Sequence, residues 1–173
     1  MRAPPLASLL TAAAALVVGG GVAEAADPWG LEDEQELAVE ATVVDLVCEL
    51  AGDCPADCGG GKRQLGLLTD DGTLLAVVKD NVFFAGAVAD LLPYCGRRIM
   101  ADGLLINDPA MPVYFVQYTR TSAAEEWRPA EAFMEQWRAA HGEADEWWRA
   151  DPIVRKLIAD HGVLGIPGLK PEQ

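Results

Sequence analysis

Residues 63–79 read RQLGLLTDDGTLLAVVK, two apolar runs hinged on Asp70-Asp71-Gly72. Asp-Gly between apolar runs is the strongest short-range hairpin signal, because a tight hairpin turn takes residues that accept positive φ. The hairpin predicts strands over 63–69 and 73–79, with a bend or bulge at Gly66 inside the first. Upstream, residues 39–50 (VEATVVDLVCEL) are rich in β-branched side chains and predict another strand. With a period of two, Thr42, Val44, Leu46, Cys48 and Leu50 share one apolar face, expected to point inward.

After the hairpin the period changes. In 81–92 (NVFFAGAVADLL), Phe84, Val88, Leu91 and Leu92 form one helical stripe, which Pro93 should end. Residues 98–106 (RIMADGLLI) and 113–118 (VYFVQY) then predict two more strands across the turn-rich Asn107-Asp108-Pro109. Three strands, a helix and two strands is the element order of an OB-fold, a small five-stranded Greek-key barrel. An open α+β sheet is the competing architecture. The clean alternation and a helix short enough to plug one end favour the OB-like barrel, over 38–120.

A helical C-terminal extension is expected over 121–162. Ser122 and Glu125 have capping-box spacing, and Pro129 suits a helical first turn with Phe133, Trp137 and Ala140 on one stripe. Asp151-Pro152 should cap a last short helix. The Gly- and Pro-rich tail, 163–173, is expected to be mobile. Residues 26–37 read as an acidic lead-in.

Residues 1–25 carry a single Arg2, an apolar run over 6–18 and small residues ending in Ala23-Glu24-Ala25. A charged start, a short apolar stretch and an A-x-A site make the pattern of a secretory signal peptide, cut after Ala25. The apolar run is well short of the roughly 20 residues a spanning helix needs, so no membrane insertion is expected. The Ala-rich run points to a bacterial periplasm or secretion. Net charge is −14, and a surface this acidic repels phosphate backbones and anionic headgroups. Nucleic acid is therefore not an expected partner, whereas a periplasmic protein is.

Cys48, Cys54, Cys58 and Cys95 are the four cysteines. An even number in an exported chain favours two disulfides. In an OB barrel the end of the first strand lies beside the start of the fourth, which predicts Cys48–Cys95 and leaves Cys54–Cys58 as a local bridge on one helical turn. The second reading is a soft-metal site, Cu(I) ahead of Zn(II), using Cys48, Cys54 and Cys58. Their C-x5-C-x3-C spacing is not a usual zinc knuckle. A third is thiol–disulfide exchange, although no C-x-x-C is present.

The stretch ATVVDLVCELAGDCPADCGGGKRQLGLLTDDGTLLAVV resembles a group of small exported bacterial OB-fold-like proteins with a V-D-L-x-C strand, a C-x-x-x-C loop and a GLLT-DG hairpin. Members often carry a histidine ahead of the C-x-x-x-C pair, which implies metal handling. Here Gly52-Asp53 takes that place.

His141 and His161 sit near expected helix exits, where an imidazolium complements the dipole. Trp127 and Trp137 read as core aromatics. Trp147 and Trp148 point apart on a helix, so one is expected to be exposed as part of a partner patch. Gly59-Gly60-Gly61-Lys62 lacks the remainder of a phosphate loop, and no nucleophile elbow or zincin motif appears. The sequence supports a non-catalytic exported binding or accessory module with no firm cofactor.

Overall fold

The computed structural model describes residues 26–79, 86–109, 111–166 and 169. The proposed leader, the first turn predicted for the helix at 81–92 and most of the tail beyond 166 lie outside these residues.

Five strands close a barrel. They are β1 (Glu34–Asp45), β2 (Leu65–Thr69), β3 (Leu74–Val78), β4 (Arg98–Ile106) and β5 (Val113–Arg120). Long β1 serves two partners, pairing its first part with β4 and its last residues with β2, both antiparallel. The sheet order is β3-β2-β1-β4-β5, and a parallel pairing of Ala76–Val78 with Val113–Phe115 closes it. A helix, α2 (Ala87–Leu91), sits between β3 and β4. This is the expected OB-like barrel, extended by a short sixth strand, β6 (Arg128–Pro129), on the free edge of β5.

Strand alternation fills the interior with Ala41, Val43, Leu65, Leu67, Leu75, Val77, Ile99, Ala101 and Tyr114, joined by Leu91 from α2. The Tyr114 hydroxyl donates to the Leu37 carbonyl at 2.7 Å, so the ring is buried without a stranded polar end. Burial, and secondarily the charge of Asp102, push the phenol's pKa up and keep it neutral.

The face of β1 differs from expectation. Ala41 and Val43 point inward, whereas Thr42 is half-buried, and Leu46, Cys48 and Leu50 are not in the strand at all. The strand ends at Asp45, whose carboxylate caps a helix, α1 (Leu46–Ala51), by accepting from the N–H groups of Val47 and Cys48 at 2.8 and 3.2 Å. The expected face looked apolar only because it counted residues beyond that cap. Over the true strand, Leu37, Val39, Ala41 and Val43 are the apolar set. That set begins inside the stretch read as a lead-in, where β1 already pairs Glu34 with Ile106.

Two glycines mark close approaches. At Gly66 the register with β1 and β3 runs through without a bulge. A side chain there would meet Leu46 Cδ2 at 2.4 Å and the Leu75 carbonyl oxygen at 2.7 Å, so Gly66 lets α1 lie against the sheet. The register shift instead falls between Asp102 and Gly103 of β4, where a Cβ on Gly103 would stand 2.0 Å from the Phe115 carbonyl oxygen.

Three helices follow the barrel: α3 (Ala132–His141), α4 (Trp147–Ala150) and α5 (Pro152–His161). Ser122 and Glu125 form a turn rather than a helix start, with the Glu125 carboxylate accepting from the Thr121 N–H and hydroxyl. Pro129 belongs to β6 rather than to a helical first turn. Asp151 does cap α5, accepting from the N–H groups of Ile153 and Val154.

A buried ion pair ties these helices to the barrel. Lys79 at the end of β3 places Nζ 3.0 Å from Asp90 Oδ2 of α2, and both side chains are almost fully buried. The same ammonium donates to the carbonyls of Val116 and Ala130, while Asp90 Oδ1 accepts from the Phe133 N–H. Burial raises the Asp90 pKa and the facing Lys79 opposes that rise.

Candidate functional site

The loop between β1 and β2 holds three of the four cysteines, and all four are consumed in two disulfides. Cys48 pairs with Cys54 (Cα–Cα 4.4 Å) and Cys58 pairs with Cys95 (6.0 Å). The predicted Cys48–Cys95 and Cys54–Cys58 pairing is thus replaced. Once Asp45 turns the chain into α1, Cys48 leaves the strand and faces its own loop. Cys58 takes the buried place against the barrel core instead, next to the short turn that precedes β4.

An ion-pair cluster finishes the loop. Arg63 Nη1 lies 3.3 Å from buried Asp45 Oδ2 and donates to the Asp53 carbonyl at 2.7 Å, while Nη2 reaches Asp53 Oδ2 at 2.6 Å. The hydrogen bond to Asp53 is the main cause of the upward shift of the Arg63 pKa. One bridge closes the loop on itself, the other bolts it to the start of β4, and Arg63 clamps its two ends. Such a loop is a fixed wall.

That wall borders a groove of about 850 Å³ on the outer face of β3. Leu75 and Val77 point into the barrel, yet the outward residues Leu74, Ala76 and Val78 are apolar too and form the groove floor. Leu46 and Leu50 of α1 make one side; Met111 and Pro112, from the loop between β4 and β5, make another; Ala87 and Val88 of α2 close the end. Leu50 is 77 % exposed and Met111 60 %. The polar groups here already have partners. Gln64 donates to the Val77 carbonyl at 2.7 Å, and Lys79 is turned to Asp90. Recognition in this groove would rest on apolar burial with few hydrogen bonds. The region between the β1–β2 and β4–β5 loops is also where OB barrels present their ligand face.

The other predicted positions lie elsewhere. Trp147 is buried among Phe133 and Trp137, with ring centroids 5.3 and 5.8 Å away, and Trp148 is half-buried against it at 6.1 Å. Both rings pack into the cluster with Phe133, Met134 and Trp137 of α3, so neither stands exposed as the expected partner patch. Trp137 Nε1 donates to Asp151 at 2.8 Å, linking α5 to the same cluster. His141 and His161 close α3 and α5 as expected, the former against the Trp137 ring. A second apolar surface runs along α5, where Ile153, Leu157 and Ile158 are exposed. Leu157 and Ile158 there line a smaller pocket of about 280 Å³ together with His161 and Val163.

A soft metal on Cys48, Cys54 and Cys58 would require both bridges to be reduced first, since a disulfide sulfur is not a thiolate ligand. Among the described residues no group of three or more His, Cys, Asp and Glu side chains is placed to hold a metal ion. No helix among them is long and apolar enough to cross a membrane. Two disulfides fit an oxidising compartment.

Searches against protein-family models, curated proteins and solved structures found no match to this chain.

Proposed function

We propose that this chain is exported to the periplasm or beyond and acts there as a non-catalytic binding module. The ligand we assign is an extended apolar segment of a partner protein, laid along the outer face of β3. The carrying observation is that β3 is apolar on both faces while only one face is needed for the core. The walls support the reading, because a loop fixed by two disulfides and an ion-pair cluster loses little freedom on binding. The charge of −14 argues for a protein ligand over an anionic membrane or a nucleic acid.

The test is a fluorescence titration with the neutral apolar probe N-phenyl-1-naphthylamine. Saturable binding is expected, competed by apolar peptides and lost in Leu50→Glu and Met111→Glu, both exposed positions where the fold should persist. Unchanged probe binding in both variants would refute the groove as the site.

A further inference from the structure

The proposed signal sequence ends at Ala23-Glu24-Ala25, so cleavage there makes Ala26 the first residue of the mature chain. Ala26 is not a loose end. It is only 8 % exposed, and its backbone nitrogen donates to Asp102 Oδ2 at 3.2 Å. Asp102 lies in the middle of β4 with no solvent exposure. The next residue is held as well: the Asp27 N–H donates to Gln117 Oε1 at 2.8 Å, and Gln117 Nε2 returns a bond to the Asp27 carbonyl at 2.9 Å. The start of the mature chain is therefore seated on β4 and β5 with its nitrogen aimed at a buried acid.

We infer that removal of the leader completes this fold by creating an α-ammonium at Ala26 that pairs with the buried Asp102 carboxylate. The inference rests on the export reading above. A signal peptidase of the exporting cell hydrolyses the Ala25–Ala26 bond with one water. The carboxylate leaves with Ala25, and the freed amine of Ala26 takes up a proton. A neutral N–H donor becomes a charged group with three donors, against an acid already out of water. An opposite charge brought against a buried carboxylate strengthens their contact, and removing one partner of such a pair is strongly destabilising. The site is a docking pocket for a processed terminus and discriminates it from any extended one by charge.

Three measurements test this. Intact mass of the exported protein should place the N-terminus at Ala26. A mature chain beginning elsewhere overturns the pocket while leaving export standing, and an unprocessed cytoplasmic chain overturns the export reading itself. Thermal melts should then compare the mature chain with one carrying Gly-Ser ahead of Ala26, each with Asp102 and with Asp102→Asn. The extension should lower Tm by about 5 °C with Asp102 present and by far less in Asp102→Asn. Equal losses in both backgrounds overturn the pairing. Because Asp102→Asn risks misfolding, the mature chain alone supplies a further readout. Its α-amine should react with an N-hydroxysuccinimide ester about tenfold more slowly than in the urea-unfolded chain, and equal rates after correction for urea would overturn the inference.

Discussion

Removing the two disulfides separately should produce unequal losses that follow from the loops they close. Cys58–Cys95 spans 37 residues, and the chain-entropy relation assigns such a cross-link about 4 kcal/mol. Cys48–Cys54 spans 6 residues and is assigned about 2 kcal/mol. Alanine is the right replacement, since serine would add a hydroxyl at the buried Cys58 position. Urea denaturation of Cys58→Ala/Cys95→Ala and Cys48→Ala/Cys54→Ala should therefore rank the first well below the second. Groove binding should show the opposite sensitivity. Loss of Cys48–Cys54 frees α1 and its Leu46 and Leu50, so probe affinity should fall about tenfold while the barrel loses only about half the stability lost with the other bridge. If the short-loop variant were the less stable of the two, or if it bound the probe as tightly as the wild type, the reasoning that assigns one bridge to the fold and the other to the wall would be refuted.

Further outcomes follow from single positions. Gly103→Ala should not yield a folded barrel, because its Cβ would press on the Phe115 carbonyl at 2.0 Å; a native-like circular dichroism spectrum and melt would contradict this. Asp45→Ala removes a cap and the partner of Arg63 together and should cost about 2–3 kcal/mol in urea, with Asp45→Asn milder because its amide oxygen still caps. On acidification, Asp70, Asp71 and Asp151 have folded pKa values lowered by hydrogen bonds from Arg98, from Thr69 and from the Val154 N–H respectively. Their contribution is present above the unfolded value of 3.8 and disappears as pH falls through the folded values. Asp90, raised by burial, works the other way, its contribution full below 3.8 and lost as pH rises through its folded value. Glu125, lowered by hydrogen bonds from Thr121, acts with the first three. Four against one predicts a Tm that falls below about pH 4, and a flat profile down to pH 2 would contradict it.

The parts of this molecule readable from sequence are those set by local chemistry. The Asp-Gly hairpin, the alternation of β4 and β5 and the Asp151-Pro152 cap each announce themselves within a few residues. The turn at Asp45 was not legible, because an Asp amid β-branched residues reads as an outward strand position until its carboxylate is seen capping α1. That one misreading carried the disulfide pairing with it, since it placed Cys48 on a strand. Pro129 was ambiguous between a helical first turn and an edge strand, and long-range pairing with β5 decided it. The groove left a signal that local reading passed over. LLAVV in β3 does not alternate, and a strand apolar on both faces needs something on each. The Lys79–Asp90 pair and the Ala26–Asp102 contact join residues distant in sequence, and only the closed barrel brings them together.

The stapled wall is tested most directly by mapping the bridges. Digestion of the denatured, unreduced protein with Asp-N separates all four cysteines into different peptides, and mass spectrometry should find 45–52 joined to 53–56 and 57–69 joined to 90–101. Peptide 45–52 joined to 90–101, or any of the four recovered as a free thiol, would contradict the account.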